Sequence, residues 1–211
     1  EKTFRAHLNL LKTLGARVAI VAECSHCIHG TREAALGFDT ADRRALDAAE
    51  WTRFVAGLKH LCTVAATEEM RVGYHHHMGT VIQTEFELDR LLADVPSLFM
   101  LLDPGHLAFA GIDPVAVTQR HAARIAHVHL KSVRPAIAER VLTPKAPPVV
   151  AIEHLHMALV SVSEQSKLVV EALRLSKTMS FRSLCMGAES TLVVVALIGF
   201  ALLRVMLCSL A

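Results

Sequence analysis

The sequence predicts an α/β protein with parallel strands, an incomplete (β/α)8 TIM barrel. Three observations carry that expectation. Helical and strand-like stretches alternate as α-β-α-β-α-β-α-β up to about residue 132. The strand-like runs are apolar throughout, as strands covered by helices on both faces are. Each run ends in polar residues, in turn Glu23 and Cys24, His75–His77, Asp103 and His106, and His127 and His129. Barrels collect their chemistry at the C-terminal ends of strands, and open doubly wound sheets do the same. The glycine-rich phosphate loop expected of a dinucleotide-binding sheet is missing, which favours the barrel.

The elements follow in order. "EKTFRAHLNLLKTLG" places Phe4, Leu8 and Leu11 at i, i+4, i+7 and stops at Gly15, the pattern of an amphipathic helix with a glycine end. "ARVAIVAEC" is a β-branched apolar run of strand length, followed by a loop rich in His, Gly and Thr. A longer helix is expected around Asp42–Ala66, with Trp51 and Phe54 packing it onto the sheet and Cys62 as an apolar filler. "RVGYHHH" reads as the next strand. "TEFELDRLLADV" opens with Thr84 three residues before Glu87, a capping-box spacing, and places Leu88, Leu91 and Leu92 on one face. "SLFMLLD" is a third strand, "DPVAVTQRHAARI" a helix with Asp113 as N-cap and Pro114 at its first position, and "IAHVHLK" a fourth strand. The last three strands start near Arg71, Leu98 and Ile125, about one short βα unit apart.

The character changes after about residue 143. "TPKAPPVV" is a proline-rich break, no Asp follows Asp113, and only Gly187 and Gly199 occur after Gly111. The expected division is therefore 1–143 as a partial barrel domain, 144–190 as a divergent segment and 191–211 as an apolar tail. That tail carries Arg204 as its single charge and is long enough to span a bilayer; a buried helix, or an abnormal tail on a truncated domain, are the alternatives. The chain starts at Glu1 inside a helical pattern and reads as a piece of something longer.

Composition excludes some classes. With 53% apolar and 20% charged residues, disorder across most of the chain is not expected. A net charge of +2 without a basic stripe gives no footprint for nucleic acid. Five irregularly spaced cysteines suit a reduced, cytoplasmic chain rather than a disulfide scaffold.

Thirteen histidines are the unusual feature, and they cluster near strand ends. Successive strand side chains alternate between faces, so His75 and His77 of "YHHHMGT" can share a pocket while His76 points away. Asp103, His106 and His129 come from neighbouring strand ends. Together they suit a divalent first-row metal such as Mn, Co, Fe or Zn, which would act as a Lewis acid on a ketone or hydroxyl oxygen. His127 shares a strand face with His129 and is as easily a hydrogen-bonded core residue. "ECSHCIHG" offers Cys24, Cys27, His26 and His29, yet a lone CxxC is a weak zinc signal. Glu23, at the strand end, is the better candidate there, as a contact for a substrate hydroxyl.

On "LKTLGARV…AECSHCIHG", "YHHHMGTVIQTEFELDRLL" and "LLDPGHLAFAGIDPVAVTQRHAARIAHVHLKSVRPA" the sequence resembles inosose dehydratase, of the xylose-isomerase-like TIM barrels. The resemblance runs from about residue 8 to 138 and is most specific in "YHHHMGT" followed by "QTE". It implies a cytoplasmic lyase of inositol catabolism that dehydrates scyllo-inosose, a polyol ketone, to a trihydroxycyclohexane-dione, with Mn or Co as metal and glutathione as a further requirement. It also implies roles. Asp103 and His129 match metal ligands, with His75 where the superfamily has a glutamate and His77 beside it. His106 matches a substrate-contacting histidine and Lys131 the lysine that follows "HVH" in the family; on this reading His106 and Lys131 are the expected proton-transfer groups, and Glu23 orients hydroxyls. The sequence departs from the family at Pro104, where Thr is usual, and at Ser132, where Asp is usual. The first strands of the barrel are missing and its C-terminal part is divergent. A sugar isomerase or epimerase on the same barrel, and an inactive barrel fragment with an unrelated or membrane-anchoring tail, are the rival readings. The oligomeric state is left open.

Overall fold

The computed structural model describes residues 1–28, 43–133 and 159–161. Among them four strands form one parallel sheet in sequence order: β1 (Val18–Val21), β2 (Arg71–His75), β3 (Phe99–Leu102) and β4 (Ile125–Val128). The helices α1 (Lys2–Thr13), α2 (Ala48–Ala66), α3 (Glu85–Asp94), α4 (Pro104–Phe109) and α5 (Pro114–His121) fall before and between them. A two-stranded antiparallel pair, β5 (Lys131–Val133) with β6 (Leu159–Ser161), follows. Consecutive parallel strands with helical crossovers are the repeating unit of a (β/α) barrel, so the expected fold class holds.

Local chemistry sets each boundary. α1 buries Leu8 completely and packs Phe4 and Leu11 against the core. It ends at Gly15, whose φ of +79° favours a residue without Cβ, and the Ala16 and Gly15 N–H groups close back on the Leu11 and Lys12 carbonyls. α2 begins later than the sequence pattern suggests. Asp47 caps it in a reciprocal box, accepting from Glu50 N–H at 2.8 Å while Glu50 accepts from Asp47 N–H at 3.0 Å; Asp42, the expected start, lies outside the described residues. Thr84 and Glu87 form the expected box on α3. Asp113 caps α5, with Pro114 in its first turn. The short helix α4, capped by Asp103, is not visible in the hydrophobic pattern, because six residues are too few to show a helical period.

The core lies between helices and sheet. Leu88, Leu91 and Leu92 of α3 and Trp51, Leu58 and Cys62 of α2 join Val72, Tyr74, Met100 and Leu102 in one buried cluster. Phe54 makes edge-to-face contacts with Trp51 and Tyr74, ring centroids 5.9 and 5.8 Å apart, as the expected packing of this helix on the sheet requires. Gly73 lets β1 approach: a Cβ there would meet Ile20 Cδ1 at 2.9 Å. Arg124 ties β4 to the layer beneath by donating to the carbonyls of Leu92, Val95 and Leu98. No helix among the described residues is long and apolar enough to cross a membrane; segments 144–158, 162–190 and 191–211 lie outside them.

The sheet register brings the polar strand ends to one edge. His75 is the last residue of β2, Asp103 directly follows β3, and His129 directly follows β4, with its N–H donating to Leu102 O at 2.9 Å.

Candidate metal centre at the strand ends

Asp103 is the centre of the site. Its side chain is fully buried. Oδ1 serves the fold by accepting the Gly105 and His106 N–H groups at 3.1 and 3.3 Å. Oδ2 faces the other way, into three imidazoles and an ammonium. His75 Nε2 lies 3.4 Å from it, His106 Nε2 3.5 Å and His129 Nδ1 3.8 Å, and the Lys131 ammonium bonds it directly. Lys131 Nζ also sits 3.2 Å from His106 Nε2.

These surroundings decide the charges. Burial works against the Asp103 carboxylate, but the adjoining His75, His106 and Lys131 outweigh it and hold the group far below the carboxylate range. Four imidazoles shift against protonation, His127 among them through burial. Burial, reinforced by the neighbouring His75, pushes His129 down to about 3 and His76 down to about 4. Burial also holds His106 well below its ordinary value against the pull of Asp103. At neutral pH the site therefore combines a carboxylate at Asp103 with neutral imidazoles at His106 and His129.

That donor set fits a divalent cation. The ligand atoms of His75, Asp103 and His106 all lie within 4.8 Å of one another. His75 Nε2, 3.4 Å from Asp103 Oδ2, is buried with no hydrogen-bond partner among the described residues, leaving a nitrogen for a ligand beside that oxygen. Neutral imidazole with carboxylate is the chemistry of first-row divalent metals.

The other residues that the sequence singles out divide. His77 does not share a strand with His75, because β2 stops at His75; it reaches the cluster from the following loop. Its Nδ1 is bonded to Met78 O at 2.8 Å, and its ring lies over His106 with centroids 3.6 Å apart. His76 is 1% exposed, packed rather than pocket-lining, and its ring centroid is 6.5 Å from that of His106. His127 and His129 are edge-to-face neighbours at 5.3 Å.

Glu23 belongs to a different place. Its N–H donates to the Tyr74 hydroxyl at 3.2 Å and its Oε1 accepts from Ser25 N–H at 2.7 Å. It lines a cavity of about 440 Å³ between the end of β1 and α2, with Ser25, His26, Glu50, Arg53 and Tyr74. None of the Asp103 cluster lines that cavity. Cys24 and Cys27 sit in a turn closed by Cys27 N–H to Cys24 O at 3.1 Å, and among the described residues they are not part of a metal-type cluster; His29 lies outside those residues.

Sequence reasoning misses the groups that hold the histidine loop. Arg43 donates from Nε to Thr80 O at 3.1 Å and from Nη2 to both carboxylate oxygens of Glu87. Glu87 is legible as a capping residue; its partner, 44 positions away, is not.

A parallel α/β sheet with carboxylate and imidazoles converging at strand C-termini defines a class of barrel proteins that place a metal-type site there. The chain belongs to the xylose isomerase-like TIM barrel family, whose profile matches residues 2–160. Curated relatives carry a more particular name. An inosose dehydratase from Clostridium botulinum (strain Eklund 17B / Type B) is 40% identical over 147 residues, 69% of this chain and 48% of that protein. An inosose dehydratase from Geobacillus thermodenitrificans (strain NG80-2) is 41% identical over 146 residues, 68% of this chain and 48% of that protein. The chain thus spans about half the length of these relatives. Among solved structures, the probable 3-DHS dehydratase AsbF from Bacillus anthracis shares the fold with a TM-score of 0.52 at 15% identity, over 85% of this chain and 70% of that one.

Proposed function

We propose that this chain carries the metal-binding half of an inosose dehydratase, a hydro-lyase that removes water from a cyclic polyol ketone. The observation that carries the proposal is the convergence of His75, His106, His129 and Lys131 on the single buried oxygen Asp103 Oδ2. About 40% identity to inosose dehydratases over this same stretch supports the substrate class.

His75, Asp103 and His106 are the residues to hold a divalent cation, Mn or Co in the family reading, with His129 beside them. When bound, such a cation polarises a ketone oxygen and so acidifies the neighbouring C–H. The chain's own groups then divide the work. His106, buried and held neutral, serves better as a nitrogen donor than as the expected proton carrier. His129, with its pKa down at about 3, carries no proton at pH 7 and is likewise a neutral donor. Lys131, aimed at the site by Asp103, serves both proton transfers: as amine it takes the proton from the acidified carbon, and as ammonium it returns that proton to the departing hydroxyl, which leaves as water. His77 covers one face of His106 and excludes water from it. Glu23, on its separate cavity, is left as a contact for substrate hydroxyls only where the substrate extends toward β1.

The test is direct. The full chain is titrated with Mn or Co and assayed for loss of scyllo-inosose, with and without glutathione. Metal-dependent dehydration supports the reading. A chain that binds the metal and leaves inosose unchanged, in both the presence and absence of glutathione, refutes the dehydratase assignment.

A further inference from the structure

Residues 76–84 join β2 to α3 without regular structure, yet Met78, Thr80, Val81, Ile82 and Gln83 are 3% exposed or less. A buried loop has to find partners for its backbone groups. Several are internal. His77 N–H donates to Ile82 O at 3.1 Å, the Thr80 hydroxyl to His77 O at 2.7 Å, and Gly79 N–H to Gln83 Oε1 at 2.5 Å. From outside the loop, Ile28 N–H donates to Gly79 O at 3.0 Å, and the charged partner is Arg43. It takes the Thr80 carbonyl with Nε and the Glu87 carboxylate with Nη2, while Glu87 Oε2 also accepts the Gln83 and Thr84 N–H groups at 2.9 and 2.8 Å. Both charged side chains are largely removed from solvent, Arg43 at 9% and Glu87 at 14% exposure.

We propose that Arg43 is a positioning residue for the histidine site: its guanidinium clamps the 76–84 loop to the first turn of α3 and thereby fixes the His77 ring over His106. This rests on reading the Asp103 cluster as the chemical centre. The line of contacts is short. Arg43 holds Thr80, Thr80 holds the His77 carbonyl, and His77 lies 3.6 Å from His106, ring centroid to ring centroid. Arginine is required because one planar fork must satisfy a carbonyl and a carboxylate at once; lysine offers a single point charge.

The experiment measures histidine carbethoxylation by peptide mapping in the metal-free full chain, and Co²⁺ affinity alongside. Wild-type His106, 1% exposed, is protected. In Arg43→Ala, modification of His77 and His106 is expected to rise about tenfold through local opening of the loop. His121, held by Asp89 on α3, is expected to keep its rate. Co²⁺ affinity is expected to fall about tenfold as His106 loses its fixed orientation. Arg43→Lys and Glu87→Gln are the milder variants and should show the same pattern in smaller measure, which keeps the test decisive where Arg43→Ala does not fold. Unchanged protection of His106 in the folded variants overturns the clamp. An equal rise at His121 assigns Arg43 to overall stability and overturns it too. A wild-type chain that binds no Co²⁺ refutes the metal reading instead, while the protection pattern still decides the clamp.

Discussion

Two polar regions lie at the C-terminal ends of the strands, and they differ in kind. Around Glu23 the groups are bonded to near neighbours and border an open cavity of about 440 Å³. Around Asp103 the carboxylate itself is fully buried, and three imidazoles and an ammonium converge on one of its oxygens. The first region has space without convergence; the second has convergence with displaced proton affinities. The proposed chemistry sits at the second, because buried and mutually opposed groups acquire the unusual charge states a reaction needs. A cavity alone supplies room.

Substitutions put this contrast at risk, beginning with the strongest. Asp103→Asn removes the group on which everything converges. Cation affinity is expected to fall by about two orders of magnitude. Stability should drop by about 2 kcal/mol, below the usual cost of breaking a buried pair because Lys131 is partly exposed; urea titration of the metal-free chain checks the second figure. Acid comes next. His76 is buried with its pKa down at about 4, so the unfolded chain, with an ordinary value near 6.5, takes up the proton first. Stability is therefore full above about pH 6.5 and lost as pH falls toward 4, by about 3 kcal/mol from this residue alone. His129, also pushed down, adds in the same direction. Urea midpoints of the metal-free chain between about pH 7.5 and 4.5 measure the slope, and a flat profile would contradict the burial of these rings. His129→Ala, removing the nitrogen most distant from Asp103 Oδ2, is expected to weaken Co²⁺ binding about tenfold by isothermal titration. Glu23→Gln should change that affinity by less than about twofold, since it borders the other region; a large effect there would merge the two sites into one.

The layout is legible in the sequence wherever a period or a cap records it. Phe4, Leu8 and Leu11, the Thr84–Glu87 box and the Asp113–Pro114 start each act over a few neighbouring residues of one helix, so the local sequence suffices to show them. The apolar runs mark the strands, and their polar ends mark His75, Asp103 and His129. What stays hidden depends on contacts between distant segments. Strand alternation would put His77 on the face of His75, but β2 stops one residue after Tyr74 and the loop brings His77 to the cluster by another route. Glu23 sits at a strand end like the others, yet the Tyr74 hydroxyl and the Ser25 N–H place it on a separate cavity. Arg43 has no local signal at all; its role exists only through Thr80 and Glu87.

The proposed function depends on His75, Asp103 and His106 holding one divalent cation. Co²⁺ titration followed by visible absorption is the sharpest check, because imidazole and carboxylate ligands on cobalt give ligand-field bands that aqueous cobalt lacks in strength. Saturation at one equivalent in the full chain, with the bands lost in both His75→Ala and Asp103→Asn, is the expected result. Bands that persist unchanged in those two variants, or no bands in the folded wild-type chain, would contradict it.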